Sequence, residues 1–251
     1  TSPDNRTFTI TATDGGCAPN EYLAGPNGGT LTAGEVDGIV QRAIATAKKT
    51  RAAIRLPLSS YTRMAIAVAD VDGTILAIYR MPDATVFSID VAVAKARNVV
   101  YFSTAGLPGV PPGTAVSNRT IAFGSQPYFP SGIDSRAFDP APGPFYDSLF
   151  RFDLAHPCSQ GAQGTNANQN GVVFFAGSTP LYRGNTLVGG LGISGDGIEQ
   201  DDYVSYFGAG PFLPSTKLWA DRLKIDRVRL PMFKFPRQPG GVKECGGKAC
   251  G

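Results

Sequence analysis

Residues 64–81 read MAIAVADVDGTILAIYRM, two apolar runs separated by the dipeptide Asp72-Gly73. Asp-Gly between two such runs is among the strongest local signals for a β-hairpin, because both central residues of the favoured tight turn take positive φ angles. The stretch therefore predicts a pair of antiparallel strands, and an antiparallel sheet is the expected centre of the fold.

A helix is predicted on each side of this hairpin. Before it, Thr32 and Glu35 form the two ends of a capping box, and apolar residues follow at helical spacing. After it, ATVFSIDVAVAKARNVVYFS (residues 84–103) is apolar almost all round, which is typical of a largely buried helix.

Regular patterns return at residues 171–197, GVVFFAGSTPLYRGNTLVGGLGISGDG. Strands are predicted at residues 172–176, 180–183 and 186–194, and a short helix is predicted to begin near Ile198. The fold class is therefore α+β, in a single domain over residues 1–251. Its core is predicted at about 30–103 and 172–210, with an irregular, aromatic and Pro-rich insertion at about 104–171 and a C-terminal extension at about 211–251.

Composition limits the partners. The formal net charge is +3 and only 17% of the residues are charged, without a dense run of Lys and Arg, so nucleic acid is not the expected partner. No apolar run reaches the roughly 18 residues of a membrane span. A buried apolar helix and an aromatic insertion together predict a homo-oligomer, because large apolar surfaces usually mark interfaces.

Four cysteines lie outside the strongest helix and strand patterns. An even number of cysteines in loops and tails favours disulfides in an oxidising compartment, and the expected pairs are Cys17–Cys158 and Cys245–Cys250. The expected location is extracytoplasmic, either periplasmic or secreted. A metal site stays open as the alternative because Cys158 is near His156, although the chain has no C-x-x-C pair and no second histidine.

Residues 190–195, GLGISG, match the G-x-G-x-x-G pattern between a strand and a helix. A dinucleotide site also needs a βαβ unit and an acidic residue ending a second strand, and neither follows here. The glycines then serve either close packing or the approach of a ligand. The acids after them allow a calcium site, but a helix N-terminus explains them without a metal; they are Asp196, Glu199, Asp201 and Asp202.

Three further side chains have two readings each. Lys95 and Asp90 interrupt an apolar helix, so they either lie at its edge or form a pocket wall in which a buried lysine meets a carboxylate. His156, in DLAHPC, is either an ordinary loop residue or a candidate axial or metal ligand.

The order of these elements resembles the GlcG/HbpS family, which is also found at the C-terminus of PduO-type proteins. The resemblance rests on LTAGEVDGIVQRAIATAKK, MAIAVADVDGTILAIYRMPDA, SIDVAVAKARNVVYFS and TPLYRGNTLVGGLGISGDGIEQDDYV. It implies a profilin-like antiparallel sheet of about five strands with helices against it, oligomeric assembly and haem as the cofactor. FPSGID, VVFFAGSTPLYR and RLPMFKFPR resemble a longer, secreted branch of the family.

The resemblance implies a binding protein for haem or a similar small planar ligand. The ligand is expected between the buried helix, the end of the hairpin and the glycine-rich strand, with His156 as the candidate axial ligand. The expected ligand-binding residues are Arg80, Met81, Asp90, Lys95, Gly190, Gly192, Ser194 and Gly195. Two alternatives stay open: an enzyme acting on a small carboxylated molecule in the same pocket, and a structural subunit of a larger extracellular assembly.

Overall fold

The computed structural model describes residues 30–127, 129, 142–156 and 170–242, together with the backbone of 244–245 and 248–249. The α-helices are α1 (Ala33–Ala47), α2 (Ser88–Ala105), α3 (Asn118–Gly124), α4 (Phe152–Ala155) and α5 (Ile198–Ala209). The strands are β1 (Met64–Ala69), β2 (Ile75–Arg80), β3 (Ser178–Arg183), β4 (Thr186–Gly195), β5 (Lys224–Ile225), β6 (Val228–Arg229), β7 (Glu244–Cys245) and β8 (Lys248–Ala249). A π-helix spans Tyr146–Arg151, and 3₁₀ helices span Gly210–Phe212, Thr216–Leu218 and Ala220–Arg222.

The capping box and the hairpin are confirmed. The Thr32 side chain accepts from the Glu35 amide, and the Glu35 carboxylate accepts from the Thr32 amide at 2.8 Å. β1 and β2 pair antiparallel, and Gly73 takes the positive φ of 81° in the turn between them.

β1 to β4 form an antiparallel sheet in the order β2-β1-β4-β3, which confirms the predicted α+β architecture. The described residues contain four strands of this sheet rather than the expected five. The predicted strand at 172–176 is not a strand, because side chains bind its backbone. The Val173 amide donates to Asn98 Oδ1 at 2.8 Å, and the Val173 carbonyl accepts from Asn118 Nδ2 at 2.6 Å.

The two faces of β1 pack against different helices. Met64, Ile66 and Val68 belong to an apolar core that also contains residues of α1 and α5. Ala65, Ala67 and Ala69 point to the other face and pack with α2. The alanines leave room for α2 to lie close to the sheet, so the prediction of a buried α2 is confirmed, with Ala92, Lys95, Ala96 and Val99 among its buried residues.

The insertion holds more regular structure than its sequence indicates. α3 begins after a capping box made by Ser117 and Thr120. Threonine at the third position is not the usual Glu or Gln, which is why the pattern does not stand out. α3, Phe145 and Leu149 share a second apolar core with Leu230 and Met232, so the insertion and the C-terminal extension pack on each other. None of the described helices combines the length and apolar character needed to cross a bilayer.

Candidate functional site

Lys95 lies at the interface of α2 and β4 and is fully buried. Its Nζ donates to the Ile193 carbonyl at 2.7 Å and to Asp201 Oδ2 at 3.1 Å. The ring of Phe175, which is 41% exposed, covers the ammonium with its centroid 4.9 Å from Nζ. Lys95 is therefore an interior cation with a main-chain and a carboxylate partner, and not an edge residue that reaches solvent.

A second buried ion pair adjoins the first. Arg119 from α3 donates to Asp202 Oδ2, and the Asp202 carboxylate also accepts from the amides of Gly177 and Lys234, both at 2.9 Å. Asp202 therefore ties together α5, the insertion, the segment before β3 and the C-terminal extension. In the part of the chain that the structure describes, two polar atoms of this network have no hydrogen-bond partner, Asp201 Oδ1 and Arg119 Nη2.

Burial controls the protonation of this network. Loss of hydration raises the pKa of Asp201 to about 7, although the Lys95 ammonium acts to lower it. Burial likewise raises the pKa of Asp202, against the opposing effect of Arg119. Burial lowers the pKa of Lys95, while Asp201 acts to raise it. The fold therefore holds a charged cluster whose proton affinity differs from that of the same groups in water.

The four acids around the start of α5 do not converge on one point, because each pairs with a different cation. Asp196 accepts from Arg55 and from the Arg63 amide, and Glu199 pairs with Lys234. Asp201 and Asp202 pair with Lys95 and Arg119. Within the described residues, no group of His, Cys, Asp and Glu side chains could hold a metal ion.

Arg55 joins three segments at one end of the sheet. Its guanidinium donates to Asp196 before α5 and to the side chain and the main-chain carbonyl of Asp83, the latter at 2.6 Å. These segments carry strongly exposed apolar side chains, which we call the Arg55 surface: Ile54 (72% exposed), Leu56 (82%), Leu58 (76%), Val86 (62%), Phe87 (65%) and Ile198 (52%). Isolated exposed apolar residues are common, whereas a contiguous apolar patch marks a binding site.

The residues predicted at the end of the hairpin take different positions. Arg80 is half-buried, and its Nε donates to the Ala84 carbonyl at 2.7 Å, just before Val86. Met81 is 1% exposed and belongs to the apolar core, so its sulfur does not face solvent. Asp90 is exposed at the start of α2, and the carboxylate beside Lys95 is that of Asp201.

The glycines of β4 face protein backbone. A Cβ atom on Gly192 would lie 2.0 Å from the Ala92 carbonyl oxygen, and one on Gly190 would lie 2.2 Å from that of Ala96. A Cβ on Gly195 would lie 2.2 Å from the carbonyl oxygen of Arg63, the residue before β1. α2 therefore occupies the space beside Gly190 and Gly192. Of the two alternatives that the sequence allowed, close packing and the approach of a ligand, these two glycines serve close packing.

Ser194 and His156 complete the predicted set. The Ser194 hydroxyl is buried and contacts Ser88 Oγ at 3.2 Å, which holds the start of α2 on β4. His156 is exposed at the end of α4, with its ring stacked on Phe152 and its Nδ1 3.0 Å from the Phe152 carbonyl oxygen. Ligand binding by the predicted residues stays a prediction. Both expected disulfides lie outside the described residues, apart from the backbone of Cys245.

Sequence reasoning missed Arg119 and Arg55. Neither lies in a recognisable motif, and each is an isolated basic residue in a segment without strong periodicity. The acids that they bind were visible in the sequence, but a helix N-terminus also accounts for acids at that position, so they did not identify the two arginines.

Known proteins resemble this chain in sequence. A sequence model of the family described as "Haem degrading protein HbpS-like" matches residues 31–209. Two curated relatives, the corrinoid adenosyltransferases PduO of Salmonella typhimurium and Citrobacter freundii, are each 28% identical over 152 residues. The match covers 61% of this chain and 33% of each relative, so the chain spans about a third of the length of the curated relatives it matches.

Three solved structures are similar in fold. The ORFY protein of Klebsiella pneumoniae has a TM-score of 0.48 at 19% identity, covering 72% of this chain and 90% of that one. A PduOC:heme complex has a TM-score of 0.46 at 23% identity, covering 72% and 94%. A double mutant of HbpS from Streptomyces reticuli has a TM-score of 0.41 at 18% identity, covering 81% and 97%. Because the family model matches most of the chain, the resemblance to the GlcG/HbpS family is confirmed, whereas the longer, secreted branch stays a prediction; this protein belongs to the HbpS-like family.

Proposed function

We propose that this protein binds haem, or a similar planar apolar molecule with carboxylate groups, on the Arg55 surface. The observation that carries the proposal is the set of exposed apolar side chains on three segments that Arg55 joins, each between 52% and 82% exposed. The description of the family as haem degrading supports haem as the ligand.

The chemistry of this surface suits such a ligand. A porphyrin face is apolar and gains free energy when it covers side chains such as Phe87 and Leu56, at roughly 25 cal/mol per Å² of apolar surface removed from water. A propionate needs a cation, and Arg80 contacts the segment that leads to Val86 and Phe87, since its Nε donates to the Ala84 carbonyl. Ligand binding would therefore combine apolar contact with charge pairing.

Iron ligation is a separate matter from binding at this surface. Met81 is buried in the core, and His156 lies on α4 in the insertion. The proposal therefore rests on contact and charge, with His156 retained as the candidate axial ligand that a variant can test.

Haem titration followed by the Soret band tests the proposal. Phe87→Ser should weaken haem binding by about tenfold, the loss expected for removing one large apolar contact. Val71→Ser is the control, because Val71 is a 40% exposed apolar residue in the turn between β1 and β2, at the opposite end of the sheet from the Arg55 surface. Equal losses in the two variants, or no Soret shift with the wild-type protein, would reject the surface.

His156→Ala provides the second comparison. If the histidine ligates iron, the variant shifts the Soret maximum while Phe87→Ser lowers affinity without moving the band. An unchanged spectrum in His156→Ala assigns the iron to another ligand or to solvent and leaves the surface assignment intact.

A further inference from the structure

A cleft lies beside the first half of α1, away from the Arg55 surface. Its volume is about 650 Å³, within the range of small-molecule sites. α1, the β3–β4 turn and the 3₁₀ helix after α5 form its walls. The described lining residues are Thr32, Gly34, Glu35, Gly38, Arg42, Arg183, Gly184, Pro211 and Phe212.

Arg42 is the cation without an acidic partner in this cleft. Its Nε donates to the Gly208 carbonyl at 3.1 Å, while its Nη2 is shielded from solvent and has no hydrogen-bond partner among the described residues. Burial lowers the pKa of Arg42, and no carboxylate of the described residues forms an ion pair with it. Gly210 leaves room for the guanidinium, since a Cβ there would lie 2.5 Å from Arg42 Nε. The Arg42 side chain is half-buried, and its guanidinium keeps donors that no carboxylate of the described residues uses, which suits an anion brought by a ligand.

Arg183 adds a second guanidinium at the opposite wall. It pairs with Glu35 at 2.8 Å, and its Cζ lies 6.0 Å from the centre of the Phe212 ring. The other oxygen of Glu35 accepts from the Thr32 amide, so this carboxylate is committed to the helix cap and to Arg183. Two arginines and one glutamate leave one positive charge in the cleft, which matches a monoanion.

The rest of the lining is apolar or open. Pro211 and Phe212 form one side, and no described atom lies within 4 Å of a Cβ built on Gly34 or Gly184. The absence of side chains at these glycines leaves room for a group larger than an ion. We propose that the cleft binds a small organic monocarboxylate, with its carboxylate on Arg42 and its apolar part against Phe212.

Calorimetric titration of the full chain with benzoate, acetate and inorganic phosphate tests this site. Benzoate should bind saturably and more tightly than acetate, because its ring is removed from water against Phe212. Arg42→Gln should weaken benzoate binding about tenfold or more, the usual loss for one charge-assisted hydrogen bond.

Because Arg42→Gln can disturb the fold, a filling variant gives an independent reading. Gly34→Leu places a side chain in the open part of the cleft and should abolish benzoate binding. Gly240→Leu is the matched control, since no described atom lies within 4 Å of a Cβ on Gly240, and it should bind like wild type. Melting temperatures confirm that the variants are folded.

Three outcomes would overturn the proposal: wild-type protein that binds none of the probes, Gly34→Leu that binds benzoate as wild type does, or phosphate that binds as tightly as benzoate. Haem titration of Gly34→Leu separates the two sites. Unchanged haem affinity is expected, because the cleft and the Arg55 surface are formed by different segments.

Discussion

Replacing Lys95 with Met should destabilise the fold strongly, and the structure sets the size of the effect. The substitution removes the donor to the Ile193 carbonyl and leaves the Asp201 carboxylate, whose side chain is 3% exposed, without its cation. Breaking a buried ion pair by removing one partner costs about 3–5 kcal/mol of unfolding free energy. That is a large part of the roughly 5–15 kcal/mol that stabilises a typical domain.

Urea unfolding at a pH well above the Asp201 pKa of about 7, followed by circular dichroism, measures the loss as a lower midpoint at unchanged slope. Arg151→Met is the control, because Arg151 and Asp147 pair at the same 3.1 Å but with side chains 67% and 76% exposed. That variant should leave the midpoint nearly unchanged, since exposed pairs contribute little.

The double variant Lys95→Met/Asp201→Leu should recover most of the lost stability, because an apolar pair replaces an uncompensated buried charge. A midpoint for Lys95→Met equal to that of wild type would refute the reasoning, as would a double variant no more stable than the single one. Either result would mean that Asp201 is neutral or hydrated in the folded protein at that pH.

Four more outcomes are expected. Gly192→Ala should destabilise the fold severely because its Cβ would lie 2.0 Å from a carbonyl oxygen of α2, whereas Gly34→Ala, in open space in α1, should leave stability unchanged or slightly raised in the same urea assay. Burial raises the pKa of Asp201 from 3.8 to about 7, so its contribution to stability is complete below pH 3.8 and is lost as the pH rises toward 7. Asp201→Asn should flatten that part of the urea midpoint-against-pH curve, and an unchanged slope would contradict the assignment. Intact mass with and without reductant and alkylation should show two disulfides, and four free thiols would also count against an extracytoplasmic location. Light scattering should show an oligomer at micromolar concentration, and a clean monomer would reject that prediction.

Local signals in the sequence determined much of the fold. Thr32 and Glu35 cap α1, Asp72-Gly73 turns the hairpin, and the nearly unbroken apolar pattern of 84–103 buries α2, all as predicted. These features act over a few residues, so the residue types themselves carry the information. The short turn between β4 and α5 was predicted from local signals in the same way.

The candidate sites depended on the tertiary structure. Lys95 and Asp201 are 106 residues apart, and no local pattern in the sequence pairs them. The glycines of β4 could admit a ligand or a helix, and only the packing of α2 decided between them. Arg55 meets Asp196 across 141 residues. Pairings at such separations arise when helices and loops pack on the sheet, because burial forces each charge to find a partner that no local pattern specifies.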